Sequence, residues 1–318
     1  MQSRNTRLSF VVFESKMHRE TKPLSLPYWC PTIIKDKIHN ANMASLNVTD
    51  ERNNTPSNEL TNQQTEILEY GDIYFFYRPK VRSEQVKSID DLRRFFMVTA
   101  PEAKENHVYR LFLIGKKSLP EIRKSEARAS ERYWARVGGI FNNASELTKE
   151  LVSDEFRKGD AARPVGEGKY AIVKHQNHAE LAYILEIPND PGQAQKELGI
   201  EKEASYVISV INPKIPSPAG YPSTEEAPKY PEQVLTKLSD TENFIPLSRD
   251  TKLIDYQNAQ IILIGAREGP DVIKKEIGVE INYDKNETKE SSSADIFTKL
   301  KVRKDQVPTR PLIEGTLE

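Results

Sequence analysis

The stretch that decides the fold is 168–187, which reads GKYAIVKHQNHAELAYILEI. Two apolar runs flank its polar centre, and a two-residue turn at Gln176 and Asn177 pairs them as an antiparallel hairpin. The large apolar side chains on one face of this hairpin are Tyr170, Ile172, Leu181, Tyr183 and Leu185. Because side chains alternate between the two faces of a sheet, this register turns that face toward a core.

The opposite face of the hairpin carries His175, His178 and Glu180. In this register the two histidines oppose each other, with Cβ atoms about 5 Å apart as in any cross-strand pair. Two imidazoles and one carboxylate form the facial triad, which holds iron or a similar metal and leaves positions open. The sequence therefore offers a candidate site for a divalent metal (iron, zinc or manganese). Two histidines at a solvated turn need no function, however, and a polar hairpin tip without a cofactor is the simpler interpretation.

Further apolar and aromatic runs outside the hairpin predict six strands, at 72–81, 93–99, 108–115, 131–141, 204–211 and 259–266. The strand at 131–141 is expected to break at Gly138 and Gly139. Helices are predicted at 143–156, with Ser145 as the N-cap, at 190–200, with Gly199 as the stop, and at 231–238. Strands outnumber helices and do not alternate with them regularly. The predicted class is α+β, as an antiparallel β-rich barrel or strongly twisted sheet with a few short helices.

The periodic part of the sequence occupies the middle of the chain. Residues 1–42 have no helical or strand period, and residues 1–66 are interpreted as a disordered N-terminal extension, within which Met43 is an alternative translation start. Residues 67–268 form the predicted core, and the polar stretch 269–295 is a predicted linker. The segment 296–318 regains apolar residues, so it docks either on the core or on a partner. The stretches 111–122 and 261–272 are similar to each other and share the triplet Leu-Ile-Gly. The similarity reflects either a duplication that gave two related halves or a chance match.

Composition limits the classes of partner and compartment. The 318 residues contain 46 Lys and Arg against 47 Asp and Glu, so the chain has no global basic excess for nucleic acid. A local basic run at 116–136 contains Tyr133 and Trp134, but interleaved glutamates favour a solvated face. The single cysteine, Cys30, suits a reducing compartment. No apolar run approaches the roughly 18 residues that a membrane helix needs, so we expect a cytoplasmic protein with no membrane partner.

The segment 162–170, ARPVGEGKY, contains the glycines of a phosphate loop but lacks its context. Phosphate loops lead from a strand into a helix, whereas these glycines lead into a strand. Arg163 still has the fork geometry to bind an anionic group through two parallel hydrogen bonds. Together with Glu167 and Glu186 it forms the predicted set for anion or substrate binding.

Three stretches carry a resemblance to a known family: RPVGEGKYAIV, HAELAYILEIP and EASYVISVINP, followed by the later LIGA and PLIEGTL. They resemble a family of uncharacterised bacterial and archaeal proteins, over roughly residues 67–318. His178 falls within the pattern of that family and His175 does not. No activity is assigned to the family, so the resemblance implies none.

Three functions remain open from the sequence. The first is a non-catalytic binding or scaffold module that contacts a protein partner through the proline-rich loop 212–231 and the C-terminal segment 296–317. The alternative is a metal-dependent enzyme that uses His175, His178 and Glu180, with Arg163 holding an anionic substrate. Nucleic-acid binding through the basic run comes third.

Overall fold

The computed structural model describes eight stretches of the chain: 66–80, 86–102, 107–122, 132–152, 161–175, 177–216, 227–266 and 293–317. Several predictions fall outside these stretches. They concern the N-terminal extension with its alternative start at Met43, most of the linker 269–295, residues 217–226 of the proline-rich loop and residues 123–131 of the basic run.

Strands dominate the described residues. They are β1 (Glu66–Pro79), β2 (Leu92–Pro101), β3 (Tyr109–Ile114), β4 (Arg132–Phe141), β5 (Arg163–His175), β6 (His178–Ile187), β7 (Glu203–Ile211), β8 (Phe244–Pro246) and β9 (Gln260–Gly265). The helices are short: α1 (Ala144–Val152), α2 (Gln193–Glu197), α3 (Glu232–Leu235), α4 (Asp295–Thr298) and α5 (Arg310–Ile313). Within the described stretches, none of them has the length and apolar character to cross a bilayer.

The strands form a closed antiparallel barrel. Around the ring they follow the order β6-β5-β1-β2-β3-β4-β9-β7, and β7 pairs back with β6 to close it. The short strand β8 pairs with β7 in addition to the eight strands of the ring. The predicted class, an antiparallel barrel with a few short helices, is confirmed.

Three of the predicted elements differ from the structure in their local details. Strand β4 does not break at its glycines, because a bulge opposite Leu111 and Phe112 absorbs the extra residue and pairing continues to Phe141. The cap of α1 is Asn143 rather than Ser145, since the Oδ1 atom of Asn143 accepts from the backbone N–H of Glu146 at 3.0 Å. Strand β1 begins at Glu66, earlier than the predicted 72–81.

The hairpin of β5 and β6 has the predicted register. His175 pairs with His178, Ile172 with Leu181 and Tyr170 with Tyr183. The five apolar side chains of the inward face are at most 1% exposed: Tyr170, Ile172, Leu181, Tyr183 and Leu185. Their burial fixes the two histidines on the outer face, because a shift by one residue would reverse both faces.

Side chains of β1 alternate between two apolar clusters on opposite sides of the sheet. Ile73 and Phe75 belong to the first cluster, which draws residues from all nine strands named above and fills the barrel. Tyr74 and Phe76 belong to the second cluster, an outer layer that also contains residues of β2, β3, α1 and the C-terminal segment. Strand β1 is therefore buried on both sides, which explains why its sequence is apolar at successive positions.

The C-terminal segment 293–317 is part of this outer layer. Six of its side chains are buried there: Ala294, Ile296, Leu300, Val302, Val307 and Leu312. Leu317 reaches the barrel cluster, and its carbonyl oxygen accepts a hydrogen bond from the hydroxyl of Tyr77. Buried Gln195 of α2 donates to the carbonyl oxygens of Val165 and Pro311, at 2.7 and 2.9 Å. The segment therefore packs as a structural layer of the core.

A buried carboxylate fastens the start of this segment to the barrel. The two oxygens of Glu167, which is 1% exposed, accept from the backbone N–H groups of Asp295 and Ile296, each at 2.9 Å. These groups open α4 and have no acceptor within that helix. Glu167 therefore supplies the cap of α4 from a distant strand.

Replacing Glu167 by glutamine is expected to lower the free energy of unfolding by about 2 kcal/mol, because hydrogen bonds to a charged acceptor contribute about 1.5–3 kcal/mol. A glutamine keeps the size of the side chain but presents an amide N–H₂ to one of the two backbone donors. Urea denaturation measures the change. Glu186→Gln is the matched control, since it removes a charge close to Glu167 and leaves those two hydrogen bonds intact. An equal loss in both variants would contradict the assigned role.

Candidate metal centre on the hairpin of β5 and β6

The two histidines face each other where β5 ends and β6 begins. His175 and His178 form the last cross-strand pair of this hairpin. The Nδ1 atom of His175 lies 3.4 Å from the Nε2 atom of His178, and the rings meet edge to face with centroids 5.1 Å apart. Both side chains are half-buried, so the pair lies at the surface without being freely exposed.

Glu180 joins the pair from the next outward position of β6. Its Oε1 atom lies 2.9 Å from the Nε2 atom of His178, and its Oε2 atom accepts from the hydroxyl of Ser205 at 2.6 Å. The Glu180 side chain is 11% exposed, whereas that of His178 is 33% exposed. The cluster therefore has a buried side at the carboxylate and a solvent-facing side at the imidazoles.

The environment of Glu180 favours its ionised form. Burial raises the pKa of this carboxyl, but the hydrogen bonds from His178 and Ser205, together with the electrostatic effect of the two histidines, outweigh it and leave the pKa lowered. The carboxylate is therefore present at neutral pH, as metal binding requires.

Three donor atoms converge in this cluster. One ring nitrogen from each histidine and one oxygen of Glu180 all lie within 4.8 Å of one another. Metal–ligand bonds of about 2.0–2.2 Å place neighbouring ligand atoms about 3 Å apart. The separations at His178, 3.4 and 2.9 Å, are close to that value. The three predicted ligand residues therefore lie close together, at separations that also suit the hydrogen bonds they form with one another.

Ser205 was missed by sequence reasoning. It lies on β7, opposite Ala182 of β6, and it reaches Glu180 across the strand pair. Alternation along the predicted strand 204–211 identifies the residues that share a face with Ser205, but it does not identify the neighbouring strand. Only the pairing of β6 with β7 brings the hydroxyl to the carboxylate.

The predicted anion-binding residues do not join the histidines. Arg163 begins β5 and His175 ends it, so the strand separates them by about 40 Å at about 3.3 Å per residue. The carboxylates of Glu167 and Glu186 instead lie within 4.8 Å of that of Asp295. Three carboxylates repel an anion and Glu167 caps α4, so this cluster does not favour an anion. The binding role of Arg163, Glu167 and Glu186 stays a prediction.

A second polar cluster, also missed, is built around buried Arg110. Its guanidinium donates to both oxygens of Glu69, at 2.5 and 2.9 Å, and to the Oδ1 atom of Asp255 at 2.6 Å. The hydroxyl of Tyr170 donates to Glu69 at 2.7 Å. The carboxylates of Glu69 and Asp255 accept hydrogen bonds from all three guanidinium nitrogens. The cluster is therefore a structural ion-pair network.

Comparisons with protein families, with curated proteins and with solved structures find no match to this chain. The resemblance described from the sequence therefore stays a prediction.

Proposed function

We propose that this protein is a divalent-metal-binding barrel protein whose metal ligands are His175, His178 and Glu180. The observation that carries the proposal is the convergence of their three donor atoms within 4.8 Å. Imidazole and carboxylate together suit iron, manganese and zinc. The cluster stands on two paired strands whose five large apolar inward side chains are at most 1% exposed, which fixes the register of its backbone.

Ser205 supports the proposal because it orients the carboxylate. Groups that hydrogen-bond to metal ligands fix their orientation and raise affinity. The Ser205 hydroxyl occupies Oε2 of Glu180 and leaves Oε1 turned toward His178. Ser205 is therefore a positioning residue rather than a ligand.

The proposal predicts stoichiometric metal binding that depends on His178. Protein made without a histidine tag and stripped with a chelator should bind about one equivalent of Zn²⁺ or Co²⁺ in a calorimetric titration. His178→Ala is expected to weaken the affinity by at least about 100-fold, because it removes the central ligand. Ser205→Ala is expected to weaken it by about 10–100-fold, as is typical of groups that orient ligands.

Two matched controls separate ligand loss from general damage. His107→Ala removes an exposed histidine outside the cluster. Ser209→Ala removes a hydroxyl from the same strand as Ser205. Both should bind metal as the parent protein does. Equal affinity in His178→Ala and His107→Ala would defeat the proposal, as would a stripped protein that takes up no metal.

The other two hypotheses from the sequence have less structural support. In the hypothesis of a protein-binding module, the C-terminal segment 296–317 contacts the partner. Most apolar side chains of that segment are buried, however. Its second contact element, the loop 212–231, and the basic run for nucleic acid lie partly outside the described residues. A salt-dependent gel shift tests the nucleic-acid hypothesis.

A further inference from the structure

We infer that the metal centre keeps open coordination positions that accept a small anionic ligand with oxygen donors, such as a chelating carboxylate or hydroxamate. This inference rests on the proposed metal site and concerns the external ligand that the bound ion would accept. It follows from the number of protein donors, the hydrogen bond that Glu180 accepts from Ser205, the solvent exposure of the cluster, and the net charge of a divalent ion with one carboxylate.

The described residues supply too few donors to close the coordination sphere. The cluster contains one donor atom from each of three residues, and no fourth His, Cys, Asp or Glu of the described stretches joins it. Structural zinc sites are closed by four protein ligands, whereas catalytic sites keep a position for water or substrate. Iron and manganese centres with this ligand set leave still more positions open.

Glu180 cannot fill an extra position without losing a hydrogen bond. Its Oε2 atom accepts from Ser205 at 2.6 Å, so only Oε1 is turned to the histidines. The carboxylate therefore acts as a ligand through one oxygen.

The open positions lie on the solvent side. The Glu180 side chain is 11% exposed, and that of His178 is three times as exposed at 33%. The three protein donors therefore leave the solvent-facing side of the cluster to an external ligand. A divalent ion with one carboxylate has a net positive charge, which favours an anion over a neutral ligand. Hard oxygen donors match the metals that this ligand set selects.

Cobalt-loaded protein provides the test, because the visible spectrum of Co²⁺ reports its ligands. After the metal titration has established one bound Co²⁺, acetohydroxamate is added as the probe, with acetamide as its neutral counterpart. We expect a saturable spectral change with acetohydroxamate. Its half-saturating concentration should be at least about tenfold lower than that of acetamide. Cobalt measured after rapid gel filtration should remain on the protein.

The outcomes separate this inference from the proposed function. Failure to bind Co²⁺ at the outset defeats the metal site itself. Normal Co²⁺ binding with a spectrum that does not respond to acetohydroxamate overturns the inference and leaves the metal site standing. A spectral change that comes from release of cobalt into solution overturns it equally.

Discussion

A chain truncated after residue 292 is expected to lose its cooperative unfolding transition and to bind a hydrophobic dye. The missing residues include five large aliphatic side chains of the outer layer. Each buried side chain of this kind contributes about 2 kcal/mol. Their combined loss rivals the net stability of a typical domain, about 5–15 kcal/mol. It also uncovers Tyr74 and Phe76 of β1.

Two neighbouring residues of α5 provide a graded version of this experiment. Leu312 is fully buried, and Leu312→Ala is expected to cost about 2–5 kcal/mol because it leaves a cavity. Ile313 is 41% exposed, and Ile313→Ala should cost much less. A truncated chain that still unfolds cooperatively at the parent midpoint would contradict the packing role. Loss of partner capture in a truncated chain would not by itself identify a docking segment.

Replacing Arg110 by methionine is expected to lower the free energy of unfolding by about 3–5 kcal/mol, the usual cost of removing one partner of a buried ion pair. The Arg110 side chain is 4% exposed, that of Glu69 11% and that of Asp255 34%. Burial already raises the pKa of Asp255, and the charge of Arg110 only partly offsets this. Methionine keeps the aliphatic stem but leaves two carboxylates without their cation. Urea denaturation gives the change.

The matched control has the same pairing geometry at the surface. Arg249 donates to both oxygens of Glu242, at 2.6 and 2.9 Å, but this pair is exposed. Exposed pairs contribute little, so Arg249→Met should leave the unfolding midpoint almost unchanged. Adding Glu69→Gln to Arg110→Met should recover part of the loss, because the uncompensated charge is removed. Equal effects at Arg110 and Arg249 would show that burial does not determine the cost.

The hairpin was predictable because the sequence pattern that determines it lies within one continuous stretch of the chain. Alternation over 168–187 predicts which side chains face inward, and the two-residue connection at 176–177 predicts the pairing of His175 with His178 that the structure has. The place of Glu180, the third proposed ligand, follows from the same alternation. Strand propensity and the scarcity of long helical patterns also sufficed for the fold class.

The remaining features depend on contacts between distant parts of the chain. Glu167 binds backbone groups 128 and 129 positions later, and Arg110 binds Asp255 145 positions later. No local pattern marks such partners. The distance between Arg163 and the histidines depends on the length of β5, because a strand keeps its two ends far apart. Strand β8 was missed because three residues are too few for a periodic signal.

The position of β9 has a consequence for protein synthesis. Strand β9, at 260–265, inserts between β4 and β7 and pairs with both. A nascent chain that has not yet emerged beyond residue 265 therefore presents β4 and β7 as two unsatisfied strand edges. Such edges are templates for intermolecular pairing, so we expect the growing polypeptide to need protection from association until β9 leaves the ribosome.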